Sequence, residues 1–261
     1  MKAQLVVLHD STRDEVTRPG ELAEYLSETF NIPTRVAGDF WTTHPNDPAG
    51  LSRELASIRV IDPSVNELNP EPMLPEIDFE MRRLSDPSLK SSGTLYDATN
   101  LMGLYWDHLP PGERSEDLCH IVLTRELFGT WDGGDLRWHA RSIVLGYPSL
   151  VSTTGLVEGP AKSTQFYLML RAGVDPGSLR EEMLEDMIDY GDDRTTEILK
   201  GYCAQAVYYF VTGEAFCDDV GCRLHNAHWQ RDMIYAQIKS PYEFCEVHRK
   251  RLDELRRTGD S

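Results

Sequence analysis

An α/β fold (α+β in its segregation of helices), built on a mixed and mostly parallel sheet with flanking helices, is what this chain of 261 residues predicts. Three observations carry it. The chain opens on a β-α-β pattern; further apolar runs of strand type recur at 119–124 and 142–157; and a long apolar helix, 195–213, runs into paired cysteines that mark a metal-bound C-terminal subdomain.

QLVVLH (4–9) is a short apolar run of strand type. PGELAEYLSETF (19–30) places Leu22, Tyr25, Leu26 and Phe30 on one helical face, and TRVAGDFW (34–41) reads as the second strand. From 42 to 92 the chain is rich in Pro, Asp, Asn and Ser, which predicts a loop-rich insertion with one short helix near 51–58. Helical spacing returns over 94–109 through Leu95, Ala98, Leu101, Met102 and Tyr105, and PPGE ends it. CHIVLT (119–124), SIVLGY (142–147) and SLVSTTGLV (149–157) are β-rich, and FYLMLRAG and SLREEMLEDMIDYG are helical. The acidic stretch 181–193 is a solvated helix face rather than a cation site. TTEILKGYCAQAVYYFVTG (195–213) is a long helix opened by Thr and closed by Gly213. The whole, 1–261, is expected to be a single domain, long enough to bury a core without disulfides.

With 26 basic against 43 acidic residues the net charge is −17, which argues against a nucleic-acid partner, since phosphate contacts need clustered Lys and Arg, and makes acidic peptides poor candidate partners for the same reason. No apolar run is long enough to cross a membrane, and the N-terminal run turns polar too soon for a signal-peptide core. These features predict a soluble, cytoplasmic protein. The five cysteines, an odd number, favour reduced thiols or metal ligands over a disulfide framework.

The chemistry-bearing constellation is Cys217 and Cys222, a C-x4-C pair, followed across a longer loop by Cys245 and His248, a C-x2-H pair. Two close pairs that a loop brings face to face are what a tetrahedral Zn2+ site needs. Three thiolates and one imidazole leave no open position, so such a zinc is structural; an iron–sulfur centre, in a redox protein, is the minor alternative. His225 and His228 lie close enough in sequence to replace a ligand. Cys119 and Cys203 read as small buried apolar residues. His139, in LRWHARS, reads as a surface or strand-edge histidine, and no G-x-S-x-G, P-loop, dinucleotide or H-E-x-x-H motif is present.

From Gly213 onward the chain resembles the archaemetzincins, zinc metallopeptidases in which H-E-x-x-H-x-x-G-x-x-x-C-x4-C-x-M precedes a second cysteine pair. On this sequence the pattern falls on Ala206 to Cys217, then Cys222, Leu224, Cys245 and His248. Segments 93–109, 119–134 and 142–157 are similar in order and character to the elements that precede the zinc helix in that family, and QLVVL with the helix to Phe30 is similar to its opening. The resemblance implies a metzincin-like fold with a zinc-binding C-terminal part at about 213–261. It also implies that the three catalytic histidines are replaced by Ala206, Phe210 and Phe216, the general-base glutamate by Val207, and the turn methionine by Leu224. None of these can hold a metal or take a proton. The expectation is therefore a peptidase homologue without catalytic zinc, Phe210 and Phe216 filling the vacated cavity, that keeps one structural zinc. It further implies a peptide or protein partner at the edge strand near Ser142–Tyr147. The alternative is a working metal-dependent hydrolase whose site is rebuilt from His139, Glu214, His225 or His228.

Overall fold

In the computed structural model, which describes residues 3–44, 47–86, 89 and 93–259, the opening apolar run forms β1 (Leu5–Ser11). The chain returns through α1 (Pro19–Phe30) to β2 (Thr34–Gly38), parallel to β1. Pro19 suits the first helical turn, where its missing N–H costs nothing, and Asn31 ends the helix at φ 54°. Leu22, Leu26 and Phe30 are buried, the face their spacing predicts. The strand expected over 34–41 stops at Gly38. Asp39 there accepts a hydrogen bond from the Thr42 amide and caps the short helix α2 (Phe40–Thr43).

Segment 42–92, expected to be loops with one short helix, contains α3 (Pro48–Ser57), β3 (Arg59–Val60) and α4 (Leu74–Ser85). Residues 45–46, 87–88 and 90–92 of it lie outside the described residues. Helix α4 escapes hydrophobic periodicity because its buried residues are Ile77, Glu80 and Arg83, two of them charged. The buried charge is matched inside the fold. Arg83 donates to Glu80 (2.9 and 3.1 Å) and to both oxygens of Glu126 (2.5 and 2.7 Å), and the Tyr96 hydroxyl donates to Glu80 (2.8 Å).

The helix expected over 94–109 begins later than its spacing suggests. Residues Leu95–Asp97 form β4, and Asp97 then caps α5 (Ala98–His108) by accepting from the Asn100 amide. There follow β5 (Leu118–Thr124), β6 (Leu127–Asp132), β7 (Arg137–Arg141), β8 (Ile143–Val144) and β9 (Ser149–Ser152). The β6–β7 hairpin, turned by Gly133 and Gly134, is an addition to the expected strands. The stretch 149–157 divides into β9 and α6 (Thr153–Glu158), capped by the Ser152 hydroxyl. Helices α7 (Thr164–Arg171) and α8 (Pro176–Glu182) come next, and α8 ends before most of the acidic stretch. Long α9 (Thr195–Thr212), short α10 (Gln230–Ile234) and α11 (Glu246–Gly259) complete the chain.

The strands make two sheets where one was expected. Five are ordered β2-β1-β5-β9-β8, with parallel pairings up to β9 and an antiparallel edge strand, β8. The other sheet is ordered β3-β4-β6-β7, with only β4 and β6 parallel. Along β5 the side chains alternate between two cores. Cys119, Ile121 and Leu123 belong with Leu22 and Leu26 of α1 and Leu199, Cys203 and Val207 of α9. Val122 belongs with Tyr96, Leu101, Tyr105 and Phe128. Period-two alternation with both faces covered gives the continuous apolar run by which β5 is legible. Among the described residues no helix is long and apolar enough to cross a membrane.

Candidate metal centre and adjoining cleft

Helix α9 is buried on nearly every side and ends at Gly213, whose φ of 77° lies in the left-handed region that a residue without Cβ adopts freely. The loop beyond it is stitched to itself and to the helix. The Cys217 amide donates to the Leu224 carbonyl (2.8 Å), the His225 amide to the Cys222 carbonyl (2.8 Å), and His225 Nδ1 lies 3.0 Å from the Cys217 carbonyl. The Gln205 amide group of α9 donates to the carbonyls of Arg223 (3.1 Å) and His225 (3.0 Å). These bonds fix where Cys217 and Cys222 point. Cys245 and His248, three residues apart at the start of α11, come to face them.

The four side chains predicted from spacing meet: their donor atoms all lie within 4.8 Å of one another. Cys217 Sγ is 3.8 Å from Cys245 Sγ, and His248 Nδ1 is 3.8 Å from Cys222 Sγ and 3.1 Å from Cys245 Sγ. Zinc bonds of tetrahedral geometry would set sulfurs about 3.8 Å apart and sulfur and nitrogen about 3.5 Å apart, so the spacing fits one such ion. Cys222 and Cys217 are buried, His248 is 8% exposed, Cys245 is half-buried, and all are free thiols or a free imidazole. Burial pushes the Cys222 thiol up to about 12 and the Cys217 thiol upward as well, while loss of solvent lowers His248 and keeps it neutral. Neutral imidazole is the ligating form. Clustered thiols that resist ionisation alone would give up their protons to a bound cation.

On the other side of the same loop lies a cleft of about 670 Å³. One wall is His139–Leu145, from β7 through the edge strand β8; the opposite wall combines Tyr202 and Tyr209 of α9 with Phe216 and Asn226–Trp229. This corrects the expectation of a filled cavity. Phe210 is buried away from the cleft, edge-on to Tyr147 at 5.4 Å between ring centres, while Phe216 is 42% exposed and lines an open space. The two phenylalanines stand apart because Phe210 belongs to the buried face of α9 and Phe216 to the loop past Gly213. Ala206 and Val207 are fully buried in the core.

Of the alternative donors, His139 and His228 reach the cleft; His225 faces the Cys217 carbonyl, and Glu214 accepts from the Tyr208 hydroxyl (3.2 Å). His139, the strand-edge histidine, points Nε2 at the Asp135 carboxylate (2.9 and 3.0 Å). Asp132, Asp135 and His139 form a second group whose donor atoms lie within 4.8 Å. The hairpin turn brings together residues whose sequence spacing resembles no metal motif. In the acidic stretch 181–193, Asp189 pairs with Arg180 and Asp192 with Arg194. Cys119 and Cys203 are buried in β5 and α9, as small apolar residues would be.

The family model that matches residues 1–255 is described as "Probable metallopeptidase family (DUF6775)". No curated protein matches. A solved structure, a zinc-dependent peptidase from Methanocorpusculum labreanum (strain Z), is similar to this chain. It shares 16% sequence identity at a TM-score of 0.44, over 95% of this chain and 99% of that one.

Proposed function

The chain belongs to this probable metallopeptidase family, and on that premise we propose that it is a single-domain, archaemetzincin-like member that holds one structural zinc and binds peptide without metal-dependent hydrolysis. The observation that carries the reading is the closed cluster of Cys217, Cys222, Cys245 and His248, four protein donors at the spacing of one tetrahedral ion. Bound zinc would supply positive charge to the thiolates and add its binding energy to folding. The chain's own residues do the rest. The loop that carries Cys217 and Cys222 also carries Phe216 and Asn226–Trp229, so holding the cluster holds one wall of the cleft. The facing wall includes β8, the edge strand, whose outer N–H and C=O groups suit an added strand of extended peptide near Ser142–Tyr147. On the segment that resembles a zinc helix, Ala206, Val207 and Phe210 offer neither a ligand nor a base. Five free cysteines accord with a reducing, cytoplasmic setting.

Elemental analysis of purified protein, paired with hydrolysis assays on casein and unstructured peptides with added zinc, tests the reading. One zinc per chain and no cleavage are expected. Stable metal-free wild type would sink it, and iron in place of zinc would favour the iron–sulfur alternative. A second reading, a hydrolase with a relocated centre, has one observation in its favour: His139 reaches the cleft while its Nε2 sits beside Asp135 and Asp132. Two bound metals together with cleavage would support it.

A further inference from the structure

We propose that Arg141 anchors a carboxylate of the peptide in the cleft, an inference that rests on the peptide-binding reading and narrows its ligand to acidic or carboxy-terminal segments. The chain has 43 acidic residues and a net charge of −17, yet among the described residues no Asp or Glu lines this cleft. Its basic side chains are Arg141, His139 and His228, of which His139 is already engaged with Asp135 (2.9 and 3.0 Å). A lining without carboxylates spares a negatively charged ligand group the repulsion that so acidic a chain exerts elsewhere.

Arg141 is built in place. Its Nε donates to the Thr130 hydroxyl at 2.9 Å, and among the described residues its Nη1 and Nη2 have neither a hydrogen bond nor a carboxylate partner. The guanidinium of Arg83, by contrast, is occupied by two carboxylates. The Arg141 backbone is fixed as well. A Cβ on Gly155 would run into the Arg141 carbonyl oxygen, and one on Gly159 would lie 3.3 Å from its carbonyl carbon. The next residue, Ser142, donates its hydroxyl to the Gly155 carbonyl (3.0 Å) and accepts from the Ser152 amide (2.8 Å). Small residues on α6 let the strand end press onto the helix, and that contact sets the root of the side chain.

The result is a planar fork, held at Nε, with its two outer nitrogens left for a ligand and situated two residues before the edge strand β8. A fork of this kind matches a carboxylate with two parallel hydrogen bonds. The aromatic rings of Tyr202, Tyr209, Phe216 and Trp229 across the cleft lower the local polarity, which strengthens such a pair. Either an Asp or Glu side chain or a free C-terminus supplies the same group.

The test is titration calorimetry on the zinc-loaded full chain with three apolar hexapeptides: an uncharged amide, the same sequence with a free C-terminal acid, and the amide with one internal Glu. The structure predicts that at least one acidic probe binds about tenfold or more tighter than the uncharged amide, the gain of a charge-assisted hydrogen bond. That preference should shrink with salt. It should vanish in R141Q and persist in part in R141K, with both variants melting like the parent. Which acidic probe gains identifies the source of the carboxylate. Uncharged and acidic probes binding alike, or an acidic preference that survives in R141Q, would overturn the anchor while leaving peptide binding intact. Absence of binding by all three would overturn the peptide-binding reading and the anchor with it.

Discussion

His9 Nε2 lies 3.0 Å from His120 Nδ1, joining the adjacent parallel strands β1 and β5 through two buried imidazoles. His120 Nε2 in turn is 3.0 Å from the Glu113 carbonyl, which can only accept. The proton of His120 therefore sits on Nε2, its Nδ1 accepts from His9 Nε2, and His9 Nδ1 is left as a bare lone pair with no partner. Only the neutral forms satisfy this chain. Burial, with His120, His44 and Arg35 nearby, lowers His9 from its ordinary value to about 3, and burial lowers His120 too.

Acid should therefore destabilise the fold in a defined window. A histidine whose folded pKa is depressed contributes stability that is complete above the unfolded value of about 6.5 and is lost as pH falls toward the folded value. His9 alone should cost roughly 2 kcal/mol between pH 6.5 and pH 5, with His120 acting in the same direction. Urea melts at pH 7 and pH 5 measure the loss. The His9 ring resonances should stay constant from pH 8 to 5, and their titration near 6.5 would contradict the buried relay.

If the cluster holds zinc as proposed, removing the metal should be felt as unfolding. Of the four proposed ligands, Cys222 is fully buried, and its loss leaves the least room for water to substitute. Cys222→Ser, or chelation of the wild type, should cost about 4 kcal/mol or more. Release of zinc to a chromophoric chelator should coincide with loss of near-ultraviolet dichroism. Zinc release without a structural change would show that the cluster does not hold the loop.

Arg83→Met tests the ion network that anchors α4. It leaves Glu80 and Glu126 without the guanidinium they share, Glu80 keeping the longer contact to Arg59 (3.9 Å), which should cost about 3–5 kcal/mol. Tyr96→Phe, which removes one hydrogen bond to Glu80, should cost about 1 kcal/mol. Denaturant midpoints rank the two, and an Arg83→Met cost no larger than the loss of one hydrogen bond, about 1 kcal/mol, would mean that the network is dispensable.

Two glycines should behave differently. Gly213→Ala places a Cβ in open space, so only the left-handed backbone is penalised, at about 1 kcal/mol. Gly155→Ala drives a methyl group into the Arg141 carbonyl and should cost about 2 kcal/mol or more, shifting the β7–β8 segment. Thermal melts give the order, and peptide titration of Gly155→Ala shows whether the cleft wall moved with it.

The sequence by itself determined those elements whose physics is local. Apolar runs gave β1 and β5, a single apolar face gave α1, and Gly213 marked the end of α9. The spacing of Cys217, Cys222, Cys245 and His248 sufficed to bring them together, because short turns fix each pair and only one loop must close. Helix α4 was illegible since its buried face is charged, and charge becomes compatible with burial only once Glu126 and Tyr96 arrive from distant strands. The division into two sheets, the strand at Leu95–Asp97 and the β6–β7 hairpin depended on pairings between separated segments. The cleft was likewise beyond sequence reasoning. Which residues face it depends on how α9 is rotated in the core and where the loop beyond Gly213 folds back, so Phe210 is buried and Phe216 is exposed although both are apolar. Tertiary packing also decided that Arg141, one cation among 26 in an acidic chain, stands with an open fork where, among the described residues, no carboxylate lines the wall.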